Sequence, residues 1–272
     1  MRVLLTNDDG IGAQGLHTLR RTLQEVAGVE LAVIAPDSNR SATARSITTG
    51  RPLLVQEVQF EDGTVGYATD GTPVDCVRFA SLGLIDGFEA ELVVSGINHG
   101  SNLGDDITYS GTVAAALEGL VLGLPSLAVS QQSSARELDF RLGRHFEFDV
   151  AADFVAGLVD ELRDAPLPAG TLLNVNVPGG RPEGVEVTRL GKRIYRDELK
   201  PAPEQEEGSR RYWIYGSDPG YEDEPGTDLA AVAAGRIAVT PLNFDLTDLA
   251  GMDALARRDL GRLVVPAARE VE

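Results

Sequence analysis

Two adjacent carboxylates, Asp8 and Asp9, stand near the start of the chain in Thr6-Asn7-Asp8-Asp9-Gly10. Crowding two carboxylates is costly unless something positive lies between them. A hard divalent cation such as Mg²⁺ or Mn²⁺ suits carboxylate and amide oxygens. The competing reading is structural: Asp is favoured at helix N-caps and Asp-Gly is a turn signal. A second chemically rich stretch runs from Gly96 to Asp106 and carries three glycines, Gly96, Gly100 and Gly104, among Asn and Asp. Such a stretch reads as a loop whose backbone approaches something closely. It leads into Ser110-Gly111-Thr112, which opens an Ala-rich helix. A helix N-terminus with free N–H groups is an anion site, or simply a capped helix end. A third polar loop, Pro36-Asp37-Ser38-Asn39-Arg40-Ser41, offers Asn39 and Ser41 as binding groups.

The elements around these residues predict how they meet. Arg2 to Thr6 is a short apolar run ending in turn residues, as expected of a buried parallel strand. Leu16, Leu19, Leu23 and Val26 follow at helical spacing over Gln14 to Ala27, closed by Gly28. Val29 to Ala35 is a second buried strand, which completes a β-α-β unit. Ligand chemistry in open α/β sheets sits at the carboxyl ends of such strands, where the Asp pair and the Ser41 loop both fall.

Further along, Pro52 to Ala68 reads as a hairpin around Glu61-Asp62-Gly63. Thr72-Pro73-Val74-Asp75 carries a capping-box signature, and Cys76 on that helix reads as a small core residue. Leu92 to Ser95 and Ser126 to Ser130 are further buried strands, on either side of the helix that runs from Ser110 to Leu122. Asp149 to Arg163 is an amphipathic helix, Thr171 to Val177 a strand with Asn174 and Asn176 on its polar side, and Val185 to Arg189 a further short strand. From Leu190 to Asp228 core periodicity is lost, and Tyr195, Tyr212, Trp213, Ile214 and Tyr215 are scattered among Arg, Glu, Pro and Gly. Pro201, Pro203 and the Glu204 to Glu207 run would suit a solvated loop, whereas the Tyr212 to Tyr215 run has strand propensity and favours an ordered hairpin. Arg236 to Thr240 is a last strand and Asp248 to Leu263 a last helix. The expected fold is α/β, a Rossmann-like, doubly wound, mostly parallel sheet with a C-terminal extended hairpin or arm. The expected division is a catalytic core over 1–189, a projecting oligomerisation arm over 190–228, and a C-terminal strand and helix over 229–272 that return to the core or to a partner.

Composition excludes several classes. A net charge of −18 over 272 residues repels polyphosphate backbones, which argues against nucleic-acid duplex binding. No apolar run approaches a membrane span, and the first residues are strand-like with no leader pattern. The one cysteine, Cys76, excludes an internal disulfide framework and fits a reducing compartment, so the expected location is cytoplasmic. Lysine occurs only at Lys192 and Lys200, and no P-loop motif is present. A receiver-type domain would need a phospho-acceptor Asp after its third strand and a later Lys. A haloacid-dehalogenase-like phosphatase would need Asp-x-Asp in place of the adjacent pair.

Taken together, Leu4-Leu5-Thr6-Asn7-Asp8-Asp9-Gly10, Ala35-Pro36-Asp37-Ser38-Asn39-Arg40-Ser41 and Gly71-Thr72-Pro73-Val74-Asp75-Cys76-Val77 resemble the SurE family of 5′/3′-nucleotidases. So do Val94-Ser95-Gly96-Ile97-Asn98, the run from Asn102 through Ala116, Pro225-Gly226-Thr227-Asp228 and Pro241-Leu242-Asn243, in the family's order across nearly the whole chain. The resemblance implies a metal-dependent phosphomonoesterase that hydrolyses nucleoside 5′-monophosphates, and 3′-monophosphates as a second class. It implies one Mg²⁺ or Mn²⁺ per subunit on Asp8, Asp9, Ser41 and Asn98, which are also the expected catalytic residues. Asn39, Gly100, Asn102, Gly104, Ser110, Gly111 and Thr112 are the expected substrate and phosphate contacts. The cation would polarise the phosphoryl oxygens and ease deprotonation of an attacking water, with Asp8 or Asp9 orienting that water. One departure is Ala42, where many members carry Gly; His99 falls at a variable position and is given no role. The family's C-terminal arms further imply a homodimer or homotetramer. The alternative function is a non-catalytic metal- or nucleotide-binding regulatory module.

Overall fold

A computed structural model describes residues 1–137, 145–202, 209–214 and 220–264. Tyr215, Pro203 and the Glu204 to Glu207 run, singled out above, lie outside the described residues. The strands are β1 (Arg2–Thr6), β2 (Glu30–Pro36), β3 (Val55–Gln59), β4 (Val65–Thr69), β5 (Leu92–His99), β6 (Ser126–Gln131), β7 (Leu172–Val177), β8 (Gly184–Val187), β9 (Arg193–Ile194), β10 (Lys200–Pro201), β11 (Tyr212–Trp213), β12 (Gly220–Tyr221) and β13 (Arg236–Leu242). The helices are α1 (Gln14–Gln24), α2 (Pro73–Ser81), α3 (Gly111–Val121), α4 (Asp149–Asp164), α5 (Asp228–Ala233) and α6 (Leu249–Ala256).

One sheet orders its strands β3-β4-β2-β1-β5-β6-β7-β13-β8. From β4 to β7 all neighbours are parallel, while β3 is antiparallel to β4 and β13 antiparallel to β7. The expected Rossmann-like, mostly parallel sheet is therefore present. From β1 the chain winds outward through β2 to β4, then crosses back to lay β5 on the other side of β1. That reversal leaves a crevice at the carboxyl ends of β1 and β5, the switch point at which doubly wound folds bind ligands.

Side-chain alternation divides the core between two faces. Val3 and Leu5 of β1 join Leu16, Leu19 and Leu23 of α1 and Val155 and Val159 of α4. Leu4 points the other way, to Cys76 and Val77 of α2 and Ala115 of α3. With both faces covered, the central strands are continuous apolar runs, as parallel strands must be. Thr72 caps α2 in the expected reciprocal way, accepting from Asp75 N while its own N–H donates to the Asp75 carboxylate.

Three expectations change. β5 does not stop at Ser95: it runs to His99 with a register shift against β6 between Ser95 and Asn98, so Asn98 is a strand-end residue rather than a loop residue. Gly96 allows this because its φ is +137° and a Cβ there would stand 2.3 Å from the Val129 carbonyl oxygen. β7 has no solvent-facing side, since all six of its residues, Asn174 and Asn176 included, are buried. The Asp248 to Leu263 segment is two pieces, α6 and a short 3-10 turn over Leu260–Leu263. Between Leu190 and Asp228, β9 pairs with β12 and β10 with β11, both antiparallel, in a nested hairpin.

Candidate active site

Past β1 the chain turns at once. Asn7 closes the turn on itself, its Nδ2 donating to Gly10 O at 2.9 Å and its Oδ1 accepting from Gly10 N at 3.2 Å. Gly10, at φ +104°, passes so close to the next loop that a Cβ would stand 3.1 Å from the Ser38 backbone. The turn thereby presses Asp8 and Asp9 against the other site segments.

Asp8 is 3% exposed, and its Oδ1 accepts from the Thr112 hydroxyl at 2.5 Å. Gly111 makes room: a Cβ there would lie 2.7 Å from Asp8 Cβ. Asp9 is held differently, its Oδ1 accepting from Asn39 Nδ2 at 3.1 Å and its Oδ2 from the His99 backbone N–H at 3.0 Å. Burial, with the Asp9 charge second, pushes the Asp8 carboxyl up to about 6, and the Thr112 hydroxyl and N–H only partly offset this. Burial also raises Asp9, opposed by the His99 N–H.

The Asn39–Ser41 loop is pinned from several directions. Arg40 N donates to Asp8 O at 2.6 Å, and Ser41 N donates to Asn39 Oδ1 at 2.9 Å. Arg45 ties the loop to α3 through Glu118 at 2.6 Å, while Arg78 of α2 reaches the same carboxylate, also at 2.6 Å. Ala42 sits at φ +58°, in the left-handed region that favours glycine.

A cavity opens between these pieces. Its buried lining is Asp8, Asn98, Ser101, Asn102 and Ser110; Ser41, Ala42, His99 and Asp106 are more exposed, and Tyr109 at 60% stands at the mouth. Asn98 donates from Nδ2 to Gly100 O at 2.7 Å, which leaves its Oδ1 as an acceptor. Asn102 is fixed by its N–H to Asn176 Oδ1, its Nδ2 to Ser130 Oγ, and its carbonyl accepting from Asn174 and Asn176.

The expected phosphate contacts separate into two groups. Ser110 and Asn102 line the cavity. Asn39 does not; its amide is engaged at both ends, as described above. Gly111 and Thr112 serve Asp8, so the anion at the α3 N-terminus is the protein's own carboxylate. Gly100 N is bonded to the Asn98 and Gln131 carbonyls, and Gly104 N to Asp228 Oδ2 at 2.8 Å. Neither N–H is free for a phosphate, which corrects the expectation for both. The close approach that Gly104 does serve is to the Gly191 carbonyl, 2.7 Å from where its Cβ would be.

Asp106, Tyr109 and Ser101 had no assigned role from the sequence. Asp106 accepts from Arg193 at 2.5 Å and from the Tyr195 hydroxyl at 2.8 Å, which joins the arm to the cavity wall. Only the Asp-Asp-x-x-Tyr spacing before Ser110 hinted at the acid and the ring. His99 stacks on Phe146 and Phe148 and accepts the Gly15 N–H at 3.3 Å, so it caps the start of α1 and carries an orienting N–H for Asp9.

A cation fits this donor set. Among the described residues no Lys or Arg forms an ion pair with Asp8 or Asp9, although Asp8 is buried and the half-buried Asp9 is adjacent to it. No three His, Cys, Asp or Glu side chains converge among the described residues, so the remaining ligands would be neutral oxygens such as Ser41 Oγ and Asn98 Oδ1. An all-oxygen set of this kind selects a hard cation.

Comparison with known proteins gives the family. The family model described as Survival protein SurE matches residues 3–197. The chain belongs to the SurE family. A protein named 5′-nucleotidase SurE from Rubrobacter xylanophilus is 53% identical over 97% of this chain and 100% of its own length. Another of that name from Herpetosiphon aurantiacus is 46% identical over 92% of this chain and 94% of its own. The crystal structure of the SurE protein from Aquifex aeolicus superposes with a TM-score of 0.79 at 36% identity, covering 94% of this chain and 98% of that one. The structural match covers more of the chain than the family model does.

Proposed function

We propose that this chain is a divalent-cation-dependent phosphomonoesterase that hydrolyses nucleoside 5′-monophosphates to nucleoside and phosphate, with nucleoside 3′-monophosphates as a second substrate class. The observation that carries the reading is buried Asp8 at the switch point, opening with Ser41 and Asn98 onto one cavity with the partly buried Asp9 beside it, and with no cationic side chain paired to either carboxylate among the described residues. The 5′-nucleotidase names of full-length relatives support it. Asp8, Asp9, Ser41 and Asn98 would hold one Mg²⁺ or Mn²⁺, which when bound supplies Lewis-acid polarisation of the phosphoryl group.

The protein's own part is orientation. The Thr112 hydroxyl and the α3 N-terminus fix Asp8, while Asn39 and the His99 N–H fix Asp9, so neither carboxylate must reorganise as charge develops. Ser110 and Asn102 border the space a phosphoryl group would take, and the exposed ring of Tyr109 lies where the nucleoside would emerge. Exposed aromatics on the arm, Trp213 at 65% among them, support assembly as a homodimer or homotetramer through arms laid on a partner. The single, fully buried Cys76 suits a reducing, cytoplasmic setting.

A panel of nucleoside 5′- and 3′-monophosphates, assayed with Mg²⁺ or Mn²⁺ and again in excess chelator, tests the reading. Hydrolysis that is lost with chelator and restored by added cation is expected. Full activity in chelator, or none with either cation, overturns it.

A further inference from the structure

Among the residues that line the cavity, Ser101 alone carries a buried side-chain polar atom without a hydrogen-bond partner. It is 6% exposed. Its backbone has little freedom, since Gly100 N on one side donates to the Gln131 carbonyl and Asn102 on the other is held by Asn174, Asn176 and Ser130. A buried hydroxyl left unpaired costs free energy, so its presence in a tightly held segment asks for a reason.

The cavity supplies that reason. Among the described residues no Lys or Arg lines it, so neutral donors beside any cation are what the lining offers to the negative charge of a bound phosphoryl group. Exposure grades along the cavity from Asp8 at 3%, Ser101 at 6% and Asn98 at 7% to Tyr109 at 60%. The buried end suits the compact anion and the open end the larger nucleoside. A serine hydroxyl needs only a turn about its Cα–Cβ bond to reach a new acceptor, and phosphoryl oxygens are acceptors only.

We propose that the Ser101 hydroxyl is a substrate-binding group that donates to a non-bridging phosphoryl oxygen. The proposal rests on the phosphomonoesterase reading above. It gives the unpaired hydroxyl a partner only when substrate or product is bound, so binding gains what the free protein lacks.

The test uses the full chain with Ser101→Ala and Ser101→Thr, adenosine 5′-monophosphate as substrate, and inorganic phosphate as inhibitor. Ser101→Ala should lower kcat/KM roughly 5- to 10-fold and weaken phosphate inhibition by a similar factor, the worth of one neutral hydrogen bond. The melting temperature of the unliganded protein should stay level or rise, because an unpaired buried hydroxyl is gone. Ser101→Thr, which keeps the hydroxyl, should recover part of both kinetic losses. Kinetics and phosphate inhibition unchanged in Ser101→Ala would overturn the proposal, and so would losses that only accompany a fall in melting temperature, the mark of a structural role. A wild-type protein inactive on every nucleotide refutes the parent reading instead, so the two failures are told apart.

Discussion

The carboxyl-end site and the C-terminal region handle their exposed chemistry in opposite ways. At the site most polar groups are answered from within the chain, the Ser101 hydroxyl excepted: Asp8 by Thr112, Asp9 by Asn39 and His99, Asn102 by Asn174 and Asn176. In the C-terminal region several large apolar side chains are left uncovered. α6 buries none of its residues, and Leu249, Met252 and Leu255 are each more than half exposed at a spacing that puts them along one side of the helix. The site is preorganised by its own fold, whereas the arm and α6 carry apolar side chains that the described residues of this chain leave exposed. Stability and activity should therefore be vulnerable in different places, and substitutions can separate them.

The largest expected effect is at the carboxylates. Asp9→Asn should cut nucleotide hydrolysis by about two orders of magnitude or more, typical of losing one preorganised electrostatic group. The same site should be a stability liability without cation. Because the folded-state value of Asp8 is about 6, above its ordinary 3.8, the folded protein holds that proton over a range where the unfolded chain has released it. Stability from this group is then gained as pH falls through 6 toward 4, and is lost as pH rises. In chelator, wild type minus Asp8→Asn in urea melts should show this slope across pH 4–7. A flat difference would contradict it.

How much of this was legible in the sequence follows from distance along the chain. The Thr72 capping box and the Ser110 cap are local devices, and each stands as expected. The Rossmann-like winding followed from buried strands alternating with helical spacing. What the sequence hid depends on partners far away. Asn174 and Asn176 read as polar strand positions because Asn102, which they hold, is more than 70 residues distant. Gly100 and Gly104 read as phosphate contacts because nothing nearby shows that Gln131 and Asp228 take their N–H groups. α5, a helix of six residues, offers too few turns for a periodic signal, so its cap Thr227 and the clamp Asp228 went unread.

Asp228 is the bridge between the two regions, and its loss should be the next largest effect. It is fully buried and accepts from the N–H groups of Gly104, Gly191 and Leu229 at 2.8, 2.7 and 2.8 Å. Asp228→Ala strands those donors and should cost about 2–4 kcal/mol in urea unfolding. It should also lower activity indirectly, because Gly104 begins the turn that carries Asp106, Tyr109 and Ser110 to the cavity. An Asp228→Ala protein as stable as wild type would mean the arm and the site are not joined there.

The smallest expected effect on the folded chain lies where the surface is most apolar. In a single copy, Leu249, Met252, Leu255 and Trp213 are each more than half exposed, so replacing each by Ser should change that copy's own stability by no more than about 0.5 kcal/mol. The same four substitutions should lower the mass measured by light scattering at micromolar concentration, because apolar and aromatic side chains are what a subunit interface buries. Activity per subunit should persist, since none of the four lines the cavity. A variant that keeps the wild-type mass, or a wild type already monomeric, would remove the contrast between a self-contained site and a partner-seeking arm. A smaller species that has lost activity would show instead that the cavity depends on the neighbouring copy, through the Asp106–Arg193–Tyr195 contact that joins arm to cavity wall.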